Sequence, residues 1–437
     1  MNKAINIKER NNPNNNDFIH NFSLSSSSMS AAPLPQNAQN INKEKKSNLP
    51  KIKETYIDNK FKQQLDNKSI NKNSTIFLSE IDLNELKESK KDIMLLSSKN
   101  EESLCLRKIP KITQKDYDIM KNNIINKENL SKLYNSLYSV SYNFRRIGCG
   151  ESVGSISPLT FLIERHYSLD KDKIKEINNK YNILKNYIYN YRSINPDGNG
   201  FYRAIMFRYF EILILNKKIE HLQNIINDII NCFNSKELQS RIIINDLNIK
   251  PELTYKILIL IVDLLKINKI KEAHEILVKS FCTCKKFDYA IILYFRYILY
   301  DYIRKNENKI YLKTFPVKIG NLLPNEFVTK DGKFLFNDFY QNYLLKFFTE
   351  SEKIIIYLTP FIIGMELNII FFDANKEILQ RFKCEGNSEL QVNDIISLVY
   401  IRNNYEIIYT QKDYEKNKNI FNIYENNSKS FLINIKK

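Results

Sequence analysis

Residues 201–215, "FYRAIMFRYFEILIL", are apolar nearly all the way round. A helix with apolar side chains on every face has to be enclosed, so this stretch predicts a buried central helix around which a domain is built. Immediately before it, "NPDGNG" (195–200) supplies a Pro-Asp-Gly-Asn turn. A tight turn running straight into an aromatic-rich apolar segment is a pattern that builds enzyme active sites. The residue that opens the segment, Gly200, has no side chain at all.

Other stretches fit around that helix. "EHLQNIINDIINCF" and "FDYAIILYFRYILYDYI" read as helices, and "LDKDKIKEINNKYNILKNYIYNY" (169–191) places Ile174, Ile177, Tyr181 and Leu184 at amphipathic spacing. "NIIFFDA" (368–374) and "IISLVYI" (395–401) read as strands, and "RNN" followed by "YEIIYT" reads as a hairpin with Asn in the turn. Helices first and strands late predict an α+β class. Two apolar runs, "YKILILIVDLL" and "KIIIYLTPFIIGMELNIIFF", are interrupted by Asp263, or by Pro360 and Glu366. They fall short of the ~18–20 residues of a membrane span and are expected to be buried core.

The flanks differ in composition. Residues 1–72 are rich in Asn, Ser and Lys ("NNPNNN", "SLSSSSMS") and are expected to be disordered, with too little apolar surface to offset ordering entropy. Residues 73–155 read as a poorly ordered or partly helical linker region, with an apolar island at 76–98. "GCGESVGS" (148–155) holds three of the nine glycines and reads as a flexible entry loop. The globular domain is expected over 156–411, followed by a basic extension, 412–437.

Composition narrows the function classes. The net charge of +17 is spread thinly over Lys-rich surface, with no zinc-finger spacing or aromatic RNA-binding motif, so no nucleic-acid partner is expected. The six cysteines (Cys105, Cys149, Cys232, Cys282, Cys284, Cys384) show no disulfide spacing, and the four histidines (His20, His166, His221, His274) do not cluster with them. No metal and no cofactor is expected. With no apolar leader at "MNKAINIKERNNPNNND", a cytoplasmic and also nuclear protein without a membrane partner is the expectation.

At this point the residues carry a resemblance. "NPDGNGFYRA" resembles the nucleophile motif of otubains, the ovarian-tumour-domain (OTU) cysteine deubiquitinases, whose pattern is Asp-Gly-Asn-Cys-Phe-Tyr-Arg-Ala. "FDYAIILYFRYIL" is similar to the family's Asp-Tyr core helix, "FFTESEKIIIYLTPFIIGMELNIIFFD" to its Glu-Ser-Asp segment, and "ISLVYIRNNYEIIYT" to its closing hairpin. The resemblance runs from about 156 to 411. It implies a papain-like OTU cysteine-protease fold, a helical subdomain with a small central β-sheet.

The chemistry of such a fold needs a Cys at a helix N-terminus held partly as thiolate. It also needs a His to relay the proton, an acid to orient that His, and turn N–H groups to hold the oxyanion. Carried over, the Cys position is Gly200, the His position is Asn404 and the orienting Asp position is Glu406, while Asp197, Gly198 and Asn199 are retained. Gly198, Asn199, Phe201 and Tyr405 are the residues the resemblance places against a substrate. No His follows position 274, so the hairpin has no substitute base.

Loss of the nucleophile alone removes on the order of 10⁶ in kcat in a triad hydrolase. The resemblance therefore implies a pseudo-deubiquitinase that binds ubiquitin, a ubiquitin-like protein or, as a second kind of partner, a ubiquitin-conjugating enzyme. Two alternatives stand beside it. One is an active isopeptidase using a relocated thiol such as Cys149 with His166, although Cys149, Cys282, Cys284 and Cys384 are expected to be structural thiols. The other is a scaffold that has kept the fold without the ligand and interacts through 1–155 and 412–437. Lys353 in "SEKIII", at a His position of the pattern, favours that drift.

Overall fold

The computed structural model describes residues 106–139, 152–167, 181–239, 247, 249–310, 318–372, 380–384 and 395–421. The expected disordered arm 1–72, the apolar island at 76–98, Cys105, Cys149 and the end of the basic extension lie outside them. The described residues all belong to one compact unit, 71–437.

The first helices among the described residues are α1 (Gln114–Ile124) and α2 (Lys127–Ser139). Thr113 and Asp116 close a reciprocal capping box at the start of α1. β1 (Val153–Pro158), α3 (Leu159–Tyr167) and β2 (Asn190–Ile194) follow, and then the helical layer: α4 (Gly200–Leu215), α5 (Ile219–Phe233), α6 (Pro251–Lys266), α7 (Ile270–Thr283) and α8 (Lys285–Asn306). α9 (Lys353–Ile363) leads into β3 (Leu367–Phe372), β4 (Gln380–Cys384), β5 (Ile396–Ile401) and β6 (Asn404–Tyr409), and α10, the last helix of the described residues, spans 411–421.

The helix stops are written locally. Lys217 and Asn268 adopt left-handed backbone after α4 and α6, where Lys218 N–H reaches back to Leu213 O and Lys269 N–H to Leu264 O. Each closure turns the chain straight into the next helix. Gly364, at φ +68°, stops α9 in the same way.

The sheet has the order β1-β2-β6-β5-β3-β4. Only the β3–β5 pair is parallel. Alternation sorts its side chains to two faces. Leu367, Ile369, Ile396, Leu398, Ile407 and Tyr409 join the helical core. Ile370, Phe372, Val399, Ile401 and Ile408 pack instead with Leu159 and Leu162 of α3 and with Leu184, Ile188 and Tyr191. α4 crosses the first face and is buried from Gly200 to Ile214, as a helix apolar on all sides demands. The fold is α+β.

Two expectations give way. Of the helix expected over 169–191, residues 168–180 lie outside the described set, 181–184 are helical, and 190–191 already belong to β2. Pairing overrides the helical spacing there: Tyr189 N–H donates to Tyr409 O, and Asn190 and Tyr191 face Tyr409 and Ile408 across the ladder. The entry loop expected over 148–155 turns into strand at Val153, an edge strand with a bulge between Val153 and Ile156.

Side-chain and backbone contacts tie the flanking segments to the domain. Arg107 pairs with Asp228 at 2.6 Å, Ile112 N–H donates to Asn224 Oδ1, Lys121 pairs with Asp263 at 2.7 Å, and Lys279 Nζ donates to Tyr138 O. These contacts lay residues 106–139 across α5, α6 and α7. At the other end, Thr410 and Asp413 cap α10, whose Phe421 is buried against His274 and Tyr409. No helix among the described residues is long and apolar enough to cross a membrane.

Candidate active site

The site forms where α4 begins. Asp197 Oδ1 accepts the Asn199 N–H at 3.0 Å, an Asx turn that bends the chain into the helix. Gly198 sits at φ +78°, and a Cβ there would stand 2.3 Å from Phe348 O, so both backbone conformation and space require glycine. The turn is clamped from below by Arg203, one helical turn on. Its guanidinium donates to both oxygens of Asp197 (2.9 and 2.7 Å), both oxygens of Asp288 (2.9 and 2.9 Å) and Asn195 O. Arg203 and Asp288 are fully buried. Burial raises the Asp288 carboxyl pKa, against the opposing pull of Arg203.

A second buried guanidinium holds the other side. Arg296 Nη2 donates to Asn199 Oδ1 and Thr349 O, its Nη1 donates to Leu344 O, and its plane lies 3.7 Å from the Tyr202 ring centroid. Phe348 N–H also donates to Asn199 Oδ1. The side chain that would otherwise cap α4 is thus drawn away, and no side chain caps the helix. Its first N–H groups and the positive end of its dipole face the gap at Gly200.

The closing hairpin brings the rest. Arg402 and Asn403 both take positive φ (47° and 60°), the requirement of a tight I′ turn. Asn404 and Glu406 then share one face of β6. An ideal Cβ on Gly200 would stand 3.1 Å from Asn404 Oδ1. Asn404 Nδ2 donates to Glu406 Oε1 at 3.0 Å and to Ile194 O at 3.0 Å. Glu406 Oε2 accepts the Ile194 N–H at 2.6 Å. The structure thus brings Gly200, Asn404 and Glu406 together in series, with backbone and side-chain contacts that tie β2 to β6.

Sequence reasoning missed the next partner. His166 Nε2 donates to Glu406 Oε1 at 3.1 Å, because α3 covers the sheet face on which Glu406 lies. No local motif announces this contact. The sequence pairs His166 only with Cys149, which lies outside the described residues. Arg203 and Arg296 were visible as letters of two family motifs, yet the bridges that join those motifs through Asp288 and Asn199 are tertiary.

The residues expected against a substrate divide. Asn199 and Phe201 are enclosed, at 0% and 1% exposure, backbone and side chain alike, whereas Gly198 is half-buried. Phe201 stacks edge-on to Tyr405, rings 5.1 Å apart. Burial holds the Tyr405 phenol above its ordinary pKa, so it stays neutral.

No nucleophile stands in the gap among the described residues. Cys232 is buried beside Asp228, and burial raises its thiol well above the ordinary range. Cys282 is buried and donates to Val153 O, and Cys284 precedes α8. No group of His, Cys, Asp and Glu among the described residues could hold a metal ion. A cavity of about 1030 Å³ opens between residues 106–111 and the start of α5, and none of its lining residues belongs to the turn or the hairpin.

The profile of the Peptidase C65 otubain family matches residues 150–410. No curated protein matches the chain. Among solved structures it is similar to h/ceOTUB1 in a complex with ubiquitin aldehyde and UBC13~Ub, at 14% identity and a TM-score of 0.40, over 68% of this chain and 99% of that one. It is also similar to h/ceOTUB1 with ubiquitin aldehyde and UBCH5B~Ub, at 14% identity and a TM-score of 0.37, over 68% and 98% of the two chains. The likeness to ceOTUB1 in a ubiquitin aldehyde and UBC13~Ub complex is 15% identity at a TM-score of 0.36, over 65% and 100%.

Proposed function

Because the chain belongs to the otubain family of C65 peptidases, we propose that it binds ubiquitin without hydrolysing ubiquitin conjugates. The observation that carries this reading is the series Gly200–Asn404–Glu406. The position where the family has its nucleophile bears no atom able to attack a carbonyl. The position of the base bears a neutral amide whose oxygen stands 3.1 Å from where a Cβ would be, and an amide takes no proton near neutral pH.

What remains is binding apparatus. The turn 195–199 is held by two buried arginines, and no side chain caps the start of α4. A ubiquitin tail laid against the turn meets the half-buried Gly198 and the hairpin at Tyr405. A ubiquitin-conjugating enzyme is the second partner class of this proposal. The thiol of the relocated-thiol alternative, Cys149, lies outside the described residues, and of the described cysteines Cys282 is buried and donates to Val153 O. The scaffold alternative loses part of its material, because 106–139 is already committed to the domain's own helices.

The test is a titration of the full chain with isotopically labelled ubiquitin, followed by NMR. Shifts in the ubiquitin tail, together with no labelling by a ubiquitin probe carrying a C-terminal electrophile, are the expected result. A folded chain that moves no ubiquitin resonance at hundreds of micromolar refutes the proposal.

A further inference from the structure

The cavity of about 1030 Å³ beside the start of α5 takes no part in the proposed function. One wall is the segment 106–111, which is pinned to the helices at both ends. Arg107 N–H donates to Phe361 O at the end of α9, and its Nη2 pairs with Asp228 at 2.6 Å. At the other end Ile112 N–H donates to Asn224 Oδ1 at 3.0 Å. Asn224 and Asp228 are neighbours one turn apart on α5, so this wall is fastened to a rigid element and the cavity is preformed.

Its lining is cationic. Arg107, Lys108, Lys111, Lys217 and Lys218 contribute to it, against one carboxylate, Glu220. Lys217 Nζ donates to Asn268 Oδ1. The side chains of Lys108, Lys111 and Lys218 make no ion pair or hydrogen bond among the described residues. Two features separate this cluster from an ordinary solvated basic face. Arg107 Nη1 is buried with no hydrogen-bond partner among the described residues. A guanidinium N–H in that state lacks the acceptor that an anion's oxygen supplies. α5 is fifteen residues long and no side chain caps it. The first-turn N–H groups belong to Ile219, Glu220 and His221, all of which line the cavity.

The rest of the lining narrows the ligand. No Phe or Tyr is among its described residues, so nothing there stacks on a planar base, and its apolar members Leu106, Ile109, Ile219 and Ile362 are aliphatic. A single carboxylate would leave most of the cations unmatched, whereas phosphates offer several charged acceptors each. We propose that the cavity binds a small ligand carrying two or more closely spaced phosphate groups on a non-aromatic carrier. Lys108 and Lys111 hold it from one wall, Lys217 and Lys218 from the other, with one phosphate on the first turn of α5. The same chemistry serves a soluble polyphosphate and a phosphorylated lipid headgroup.

The site also reports to α4. His221 Nε2 shares a hydrogen bond of 2.6 Å with the Tyr209 hydroxyl, which projects from that helix. Burial and the neighbouring Lys218 charge lower the His221 pKa to about 4, so the ring is neutral near pH 7. An anion beside Lys218 opposes the second of these causes, and His221 should titrate at higher pH when the ligand is bound.

The experiment is calorimetry on the full chain at fixed ionic strength, with tripolyphosphate, inositol hexakisphosphate and orthophosphate. Saturable binding of the two polyphosphates at one site is expected, about tenfold or more tighter than orthophosphate. Lys108→Ala with Lys111→Ala alters two exposed side chains and should weaken polyphosphate binding by about tenfold. Lys330→Ser with Lys333→Ser removes the same charge at the same spacing, from exposed positions outside the lining, and should change it by less than about twofold. Glu220→Gln should tighten it. NMR of the histidine rings, with His221 identified by its loss in His221→Gln, should show its titration moving up with tripolyphosphate. Sedimentation with phosphatidylcholine vesicles containing phosphatidylinositol bisphosphate names the source. Pelleting reversed by inositol hexakisphosphate assigns the lipid headgroup, and saturable binding without pelleting assigns the soluble ligand. No saturable binding, or equal weakening by the two lysine pairs, overturns the proposal, the latter because it would mark a diffuse charge effect.

Discussion

Replacing Arg203 by Met is the sharpest probe of what holds the turn at Gly200 in place. The substitution keeps most of the volume and removes a guanidinium that donates to Asp197, Asp288 and Asn195 O. Asp197 is 18% exposed along its side chain and can be solvated. Asp288 is fully buried and cannot. Breaking a buried pair by removing one partner costs ~3–5 kcal/mol, and in a domain of this size each kcal/mol lowers Tm by roughly 2–4 °C. A fall on the order of 10 °C near pH 7.5 is expected.

The pH dependence separates this mechanism from ordinary packing loss. Burial already raises the Asp288 carboxyl in the intact protein, with Arg203 opposing; without Arg203 the carboxyl rises further. A carboxyl raised on folding costs stability above its folded pKa, and that cost disappears as pH falls through it. The gap between variant and parent should therefore be widest near pH 7.5 and narrow toward pH 5. Thermal unfolding followed by circular dichroism at the two pH values reads both numbers. A loss under about 1 kcal/mol, or a gap that is the same at pH 5 and pH 7.5, would refute the argument that Asp288 is the charge being compensated.

Three further outcomes are expected. Gly200→Cys together with Asn404→His should cleave a ubiquitin–fluorophore amide about 10²-fold or more faster than Gly200→Cys alone, the contribution of a general base; a double variant that folds and binds ubiquitin yet stays inert means the groove has drifted beyond these two positions. Gly198→Ala should destabilise by about 2 kcal/mol or more, from strain at positive φ and collision with Phe348 O, and an unchanged Tm would contradict the glycine requirement. Burial pushes the Glu211 carboxyl up, but the His274 hydrogen bond and the guanidinium groups of Arg208 and Arg192 override this and hold it well below the usual range. Its stabilisation is therefore present above about pH 4.5 and lost as pH falls further, so Glu211→Gln should cost ~3 kcal/mol at neutral pH, with the difference from the parent shrinking in acid-unfolding curves.

Much of the fold and site is legible in the letters because several motifs are local. The α4 sequence is apolar on all faces and can only be a core helix, and "RNN" supplies the two positive-φ residues of the hairpin. Hence Asn404 and Glu406 land where strand alternation puts them. β2 was hidden because "NYIYNY" continues the spacing of the preceding amphipathic run, and only its ladder with β6 decides for strand. β1 was hidden because Gly154 and Pro158 punctuate an edge strand as they would a loop. The contacts of His166 with Glu406 and of Arg203 with Asp288 span 240 and 85 residues, and no periodicity encodes a bridge of that length.

The docking of residues 106–139 alters where a workable fragment of this protein begins. The family match starts at residue 150, an obvious place to cut. Such a cut would strip Arg107 from Asp228, Lys121 from Asp263 and the Tyr138 carbonyl from Lys279, and would bare the apolar surface that Tyr117, now fully enclosed, covers. Insoluble product from a clone starting at 150 would then report a lid torn away, whereas a clone starting before residue 106 keeps those helices covered.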